Sequence, residues 1–312
     1  MTIRTVAVFN ASSRQGLAQL RQLLDHGYDP VAISRSAAVI EAAGLGPVRT
    51  VAADNADPAS LDTALSGIDA VFFQLPLLET PDRLIQFAGN VADAARRAGV
   101  QRFIHNSTMW SPDDACGEVT YDGVRAAERR IEASGLPYTI LRPTLFMDNW
   151  LTAYALPLLR DRQLYRYPHN PEMEYSPISL DDVARFMVAA LPRTDLVGER
   201  MRIAGPETLK PEDVRALLSD AIGVPIAYEY QNPADFAADA WDRFVKDTGA
   251  PRDAFIAGFG AFYTFNNTAP ERPFVYDVGP LLERLPVRLE RFADWARRQD
   301  WTGGGQVGSV TR

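Results

Sequence analysis

The sequence predicts an α/β fold, a doubly wound parallel sheet carrying a smaller C-terminal α+β region, and three observations carry that reading. Short apolar, strand-like runs alternate with helical patterns from the N-terminus through Ser107. The run Asp69-Ala-Val-Phe-Phe-Gln74 is continuously apolar at its centre, as expected of a strand covered on both faces. The opening stretch Thr5-Val-Ala-Val-Phe-Asn-Ala-Ser-Ser-Arg-Gln-Gly16 passes from an apolar run through a small polar turn into a helical pattern. Right-handed crossovers make a parallel sheet the economical arrangement of such units, and six strands are implied.

Composition narrows the class. With 312 residues and 46% hydrophobic content, the chain is long enough for one large domain or for a core with an appended region. The expected division is a dinucleotide-binding core over residues 1–145 and a mainly substrate-binding region over 146–312, with segments near 175–205 returning to the core. A net charge of −8 gives no basic excess for nucleic acid. Cys116 is the single cysteine, which excludes an internal disulfide framework and a cysteine-rich zinc site. His26, His105 and His169 are scattered, so no metal is expected. No apolar run approaches the roughly 18 residues that span a bilayer. A soluble cytoplasmic protein without membrane contact is the expectation.

The elements follow in order. After the opening strand, Leu17, Leu20, Leu23 and Leu24 recur at helical spacing and stop at Gly27. In the turn between, glycine is usual because a tight loop needs positive φ and close approach to a pyrophosphate. Here Asn10 tolerates the left-handed region, Ser12 and Ser13 are small and offer hydroxyls, and Arg14, Gln15 and Gly16 complete the loop. Residues 30–35 form a second strand ending in Arg35. An arginine at that place suits a 2′-phosphate where an acid would suit a 2′-hydroxyl, so Arg35 with Arg14 points to NADP(H); both are equally readable as solvated loop residues. A third strand over 48–53 ends at Asp54, which either accepts from an adenine amino group or caps the next helix. That helix opens at Asp57-Pro58. Gln74 and Leu75 end the fourth strand at the cofactor cleft, a long helix spans about 81–98, and a fifth strand runs Arg102 to Ser107.

The most specific segments come next. Arg102-Phe-Ile-His-Asn-Ser107, Ala133-Ser-Gly-Leu-Pro-Tyr-Thr-Ile-Leu-Arg-Pro-Thr-Leu-Phe-Met-Asp-Asn-Trp150 and Tyr175-Ser-Pro-Ile-Ser-Leu-Asp-Asp-Val-Ala184 resemble the NmrA-like branch of the atypical short-chain dehydrogenase/reductases. Asn10 to Gly16 looks like that family's Gly-Ala-Thr-Gly-x-x-Gly loop with its first two glycines replaced. Met201-Arg-Ile-Ala-Gly-Pro-Glu207 and a terminal helix over Leu285 to Arg297 sit where the family places its C-terminal elements. The resemblance covers about residues 3–300. It implies an NADP(H)-binding core, cofactor contact extending to Pro143, and a small-molecule substrate.

Such reductases place a tyrosine proton donor four residues before a lysine on one helical face. Counting back from Ser134-Gly135, the lysine position holds Val124 and the tyrosine position Thr120. One residue on, Tyr121 and Arg125 have the right spacing. Either that pair takes over, with Arg125 unable to relay protons as lysine does, or the machinery has been lost and Tyr121 is an ordinary helix residue. Ser107, with Thr108 beside it, is a hydrogen-bond donor to a substrate oxygen or a simple turn former. His105 reads as sheet-embedded, and Asp113-Asp114 and Asp181-Asp182 as turn or helix starts.

Trp150, Tyr154, Tyr165 and Tyr167, with Trp241, Phe255, Phe259, Phe262, Tyr263 and Phe265, either line an apolar pocket or form the smaller region's own core or an oligomer contact. Gly258-Phe-Gly-Ala-Phe-Tyr263 is read as a mobile lid. Three functions remain open: an NADP(H)-dependent oxidoreductase on a small aromatic, quinone-like or enone substrate; an NADP-sensing regulator with a protein partner; and a cofactor-independent lyase, isomerase or cyclase. A homodimer is compatible with each.

Overall fold

The computed structural model describes residues 3–76, 79–107, 110, 112–249 and 251–303, with Thr248 described by its backbone alone. Its sheet contains β1 (Thr5–Phe9), β2 (Asp29–Ile33), β3 (Arg49–Val51), β4 (Ala70–Gln74), β5 (Arg102–Asn106), β6 (Tyr138–Pro143) and β8 (Arg200–Ile203), in the order 3-2-1-4-5-6-8. Every pairing is parallel. The sheet has seven strands where the sequence implied six. The extra one is β8, the Arg-Met-Arg-Ile edge strand, whose alternating arginines hide its strand character.

Alternation across the sheet explains why β1 and β4 are apolar throughout. Val6, Val8 and Phe72 face the core beneath α1 (Arg14–Asp25) and α7 (Leu180–Ala190), while Ala7, Phe9, Val71 and Phe73 face the opposite core. That second core is closed by α3 (Pro58–Ala64), α4 (Pro81–Arg97) and α5 (Val119–Glu132). α2 (Ala37–Ala42) bridges β2 and β3. In α1, Gln19 is buried among the leucines of the apolar stripe because its amide is used inside the molecule, as described below.

A second lobe is built on α6 (Ala155–Arg162), the two-stranded parallel sheet of β7 (Leu164–Tyr167) and β9 (Ala227–Tyr230), α8 (Pro211–Ile222), α9 (Pro233–Ala240) and α10 (Arg252–Thr268). Its centre is a fused set of aromatic rings. Trp150 packs against Phe292, Tyr165 and Tyr175, and Phe236 against Tyr154, Tyr167 and Tyr263. The aromatic residues named as pocket lining are thus largely this lobe's core, with Trp150, Tyr154, Tyr165 and Tyr167 all buried.

Two further expectations change. Gly258 to Tyr263 lies in the middle of α10 with Gly260 and Tyr263 buried, so it is helix and not a lid loop. Of the terminal helix expected over Leu285 to Arg297, only α12 (Phe292–Arg297) is helical, and before it the chain forms a separate helix, α11 (Gly279–Arg284). Pro286 ends α11 by lacking an N–H and disfavouring helical backbone at Leu285, whose φ is −130° and ψ 82°. Gly205, just after β8, is required by close packing, since a Cβ there would lie 1.8 Å from the Pro177 carbonyl oxygen. No helix among the described residues is long and apolar enough to cross a membrane.

His169 is fully buried in the aromatic lobe, with rings of Tyr167, Tyr175 and Tyr263 around it and, among the described residues, no hydrogen-bond partner at either ring nitrogen. Burial pushes its pKa down to about 3. His105, embedded in β5, is held down to about 4, chiefly by burial, with Glu128 opposing. A histidine kept neutral in the fold stabilises it fully above the unfolded pKa of about 6.5, and that stability is lost as pH falls toward the folded value, by about 1.4 kcal/mol per pH unit per group. Asp148 and Asp182, pushed up to about 6 by burial, work in the opposite sense as pH falls from there toward the unfolded value. The difference between His169→Phe and the parent isolates one of these terms. Its melting temperature relative to the parent rises as pH is lowered from 7.5 to 5; a pH-independent difference would show that His169 does not titrate on unfolding.

Candidate functional site

The strand order reverses between β1 and β4, and in open parallel sheets ligands bind outside the carboxyl ends of the strands at this switch. The structure places the loop 10–16 there. Asn10 adopts φ 50°, the left-handed backbone its position requires, and its Nδ2 donates to the Gln74 carbonyl at 2.9 Å. The side chain stitches the ends of β1 and β4 together. Gln74 Nε2 donates to Ser13 Oγ at 3.0 Å, and Gln19 Nε2 donates to Gln74 Oε1 at 2.9 Å. Asn106, ending β5, donates to Gln15 Oε1 at 2.6 Å. This amide network, unforeseen in the sequence, fixes the loop; the signal available was Gln19, a polar side chain within an apolar helical stripe.

Ser13 caps α1, its hydroxyl accepting from the Gly16 N–H at 3.1 Å. Gly16 has no room for a side chain, because a Cβ would come within 2.5 Å of the Asn10 oxygen and the Ala11 Cα. The helix therefore starts directly on the strand end. The first N–H groups of such a helix lack intrahelical acceptors and point, with the positive end of the dipole, at whatever lies before it. The loop thus keeps what a pyrophosphate cradle requires despite its missing glycines. Ser12 is half-buried beside it.

Arg14 has another occupation. Its Nη1 and Nη2 donate to the carbonyls of Asp148 and Leu151 at 2.9 and 2.7 Å, tying the loop to the 3-10 turn Met147–Leu151. Arg35 is exposed directly beyond β2, at the place where the adenosine end of a dinucleotide would lie. Asp54 does not cap the following helix: its carboxylate accepts from the Ala56 N–H at 2.8 Å in a local turn, and Asp57 caps α3 through the Ala59 N–H at 3.0 Å. Leu75 and Pro143 are buried at the ends of β4 and β6. At the second aspartate pair, Ser179 caps α7, while Asp181 and Asp182 occupy its first turn.

The structure does not bring the expected proton-donating group together. Tyr121 is fully buried, packed by Trp110, Phe262 and Phe265, and its hydroxyl donates to Asn266 Oδ1 at 2.6 Å. Burial lifts its pKa far above the usual phenol range, against the opposing Asn266 bond. Arg125 turns away to a bidentate pair with Glu132, at 2.7 and 3.2 Å, and to the Asp113 carbonyl. Ser107 donates to the fully buried Glu128 at 2.7 Å, which also takes two bonds from Arg142 at 3.1 and 2.5 Å. Thr108 lies outside the described residues. Among those described, no group of three or more His, Cys, Asp or Glu side chains is placed to hold a metal ion.

Fold and loop define a dinucleotide-binding protein. The model of the NAD(P)H-binding family matches residues 11–194, and the chain belongs to that family. It is 30% identical over 197 residues to the NAD(P)H azoreductase of Xenophilus azovorans, covering 63% of this chain and 66% of the relative. It is 31% identical over 225 residues to the (4-alkanoyl-5-oxo-2,5-dihydrofuran-3-yl)methyl phosphate reductase of Streptomyces griseus, covering 72% of this chain and 76% of the relative. The matched part therefore spans about two thirds of the first relative and three quarters of the second. Among solved structures, NmrA, a negative transcriptional regulator, in complex with NADP superposes with a TM-score of 0.73 at 20% identity, covering 97% of this chain and all of that one. The architecture is that of the NmrA-like atypical short-chain dehydrogenase/reductases.

Two outcomes check the site. Gly16→Ala lowers stability by about 1–3 kcal/mol, the cost of overpacking, and weakens dinucleotide binding, read by thermal melting and by quenching of protein fluorescence on NADPH addition. If the variant bound as the parent does, the tight contact would not shape the loop. Tyr121→Phe costs about 1 kcal/mol for the lost buried bond yet leaves any turnover within about threefold of the parent. A loss of a hundredfold or more would return Tyr121 to the chemistry.

Proposed function

We propose that this protein is an NADPH-dependent reductase of a small aromatic, quinone-like or enone substrate. The observation that carries the reading is the loop: Asn10 in the left-handed region, Ser13 as cap and Gly16 without space for a Cβ keep the pyrophosphate site within a family that binds NAD(P)H. The backbone at Ser12, Ser13, Arg14, Gln15 and Gly16 holds the pyrophosphate, Asn10 and Gln74 keep the strand ends in register around it, and Leu75 and Pro143 border the cleft. Arg35 takes the 2′-phosphate through charge-assisted hydrogen bonds. Bound nicotinamide supplies the hydride.

The balancing proton comes from water, because Tyr121 and Ser107 spend their hydroxyls inside the protein. Substrates whose reduced forms are stable anions, or that carry nitrogen or oxygen open to solvent, suit such a site. The two curated relatives are named as reductases, one an NAD(P)H azoreductase and one acting on a (4-alkanoyl-5-oxo-2,5-dihydrofuran-3-yl)methyl phosphate, and both names fit this reading.

A second reading is favoured by one observation: Tyr121, Arg125 and Ser107 are all engaged internally, so none of these three is ready to protonate a substrate. On that reading the chain binds NADP and acts on a protein partner, without turnover.

Following NADPH absorbance with quinones, azo dyes and cyclic enones separates the two. Oxidation above the no-substrate rate supports the reductase; tight NADPH binding with no oxidation across the panel supports the regulator. In parallel, Arg35→Ala weakens NADP(H) by about 1.5–3 kcal/mol while NAD(H) changes little. Equal weakening of both cofactors would remove Arg35 from 2′-phosphate recognition.

A further inference from the structure

A cavity of about 630 Å³ opens beside the edge strand β8, walled by Trp110, Asp113, Arg142, Arg200 and Arg202. Parallel register sets Arg142 of β6 beside Arg202 of β8, and Arg200 two residues earlier faces the same side. Three guanidinium groups thus line one surface. The cavity also adjoins the Tyr121 region, since Trp110 packs edge-on against Tyr121 with centroids 5.0 Å apart.

The charges around this cavity do not balance. Arg142 is matched by the buried Glu128, and Arg125 by Glu132. Glu199, also on the wall, pairs with Arg284 at 3.2 Å. Arg200 meets the Asp113 carboxylate at 3.0 Å and the already shared Glu132 at 3.6 Å. Arg202 has no carboxylate among the described residues. It donates one nitrogen to the carbonyls of Pro273 and Val275, lies over the Tyr276 ring at 5.1 Å, and leaves its Nε buried without a partner. A buried N–H of a charged group left unpaired is costly, and the positive charge of Arg202 is left without a compensating anion among the described residues.

Asp113 is the odd member. Its side chain is 71% exposed, yet its carboxylate sits against both Arg142 and Arg200. Exposed ion pairs of this kind are weak, so the carboxylate can leave at little cost. Once it does, Arg200 keeps only the shared Glu132, and Arg202 still has none. Close to two positive charges then face the cavity, the complement of a phosphate monoester carrying −1.5 to −2 at neutral pH. Guanidinium groups also match phosphate oxygens in pairs.

We propose that this cavity binds the phosphate group of a phosphorylated small-molecule substrate, with Arg200 and Arg202 as its ligands and Asp113 as the resident counter-ion that it displaces. The proposal rests on the reductase reading only in naming the ligand a substrate; the anion site itself does not depend on turnover.

The test uses the full-length protein with NADP⁺ at saturation, so that the pyrophosphate loop is filled, in buffer without phosphate. Inorganic phosphate, phenyl phosphate and benzoate are titrated calorimetrically. Phenyl phosphate is expected to bind, and benzoate to bind at least about tenfold more weakly; Arg200→Gln and Arg202→Gln each weaken phenyl phosphate by about tenfold or more. Asp113→Asn tightens it by about threefold, a gain that misfolding cannot produce. NADP⁺ affinity stays the same in all three variants. Unchanged phosphate affinity in Arg202→Gln, no tightening in Asp113→Asn, or benzoate binding as well as phenyl phosphate would each overturn the proposal. Failure of the parent to bind any dinucleotide would instead sink the reductase reading; the same titrations on nucleotide-free protein would still decide the anion site by whether the arginine variants lose binding.

Discussion

Burying Glu128 beneath the sheet's edge imposes more on this molecule than any other single interaction. A carboxylate with no exposed surface is tolerable only if it is paired and hydrogen-bonded, and Glu128 is supplied by the Arg142 fork and the Ser107 hydroxyl. That requirement locks α5 to β6 and to the end of β5. It also withdraws Ser107 from the candidate site, because a serine at a strand end is turned inward to complete the pair. Arg125, one turn earlier on the same helix, is drawn into the same charge cluster by Glu132. The Leu-Arg-Pro string is thus a structural element in this chain: its arginine neutralises a buried charge and its proline ends the strand.

The loop between β1 and α1 shows how glycine can be replaced when its tasks are separable. Positive φ is met by Asn10, which then uses its amide to join two strand ends. Compact capping is met by Ser13. Only the third task, contact between helix and strand at a distance that excludes a Cβ, has no substitute, and there glycine remains. Arg14 extends the loop's influence outward. Through the carbonyls of Asp148 and Leu151 it fastens the loop to the short turn that carries Trp150 into the heart of the second lobe, so the two lobes meet through hydrogen bonds and not only through packing.

The sheet was legible because strands covered on both faces have little choice but to be apolar, and β1 and β4 announce themselves. β8 was not counted because its arginines alternate along an edge, where one face is free to carry charge. Helical spacing correctly placed Tyr121 and Arg125 one turn apart, but spacing cannot say what each side chain meets. Tyr121 finds Asn266, 145 positions away, and Arg125 finds Glu132 on its own helix. The aromatic residues posed the same difficulty. A pocket for a flat ligand and the core of a small lobe demand the same composition, and only the ring-to-ring contacts around Trp150 and Phe236 distinguish them.

That aromatic core also divides the molecule optically. Of the five tryptophans, Trp150, Trp295 and Trp301 belong to the second lobe's core, while neither face of the large sheet has one in its buried cluster. Tryptophan emission therefore reports mainly on the lobe that surrounds His169. Far-UV circular dichroism draws on the helices of both lobes. Two denaturation curves recorded on one sample by these signals therefore compare one lobe with the whole chain, and their coincidence or separation measures how firmly the halves unfold as one.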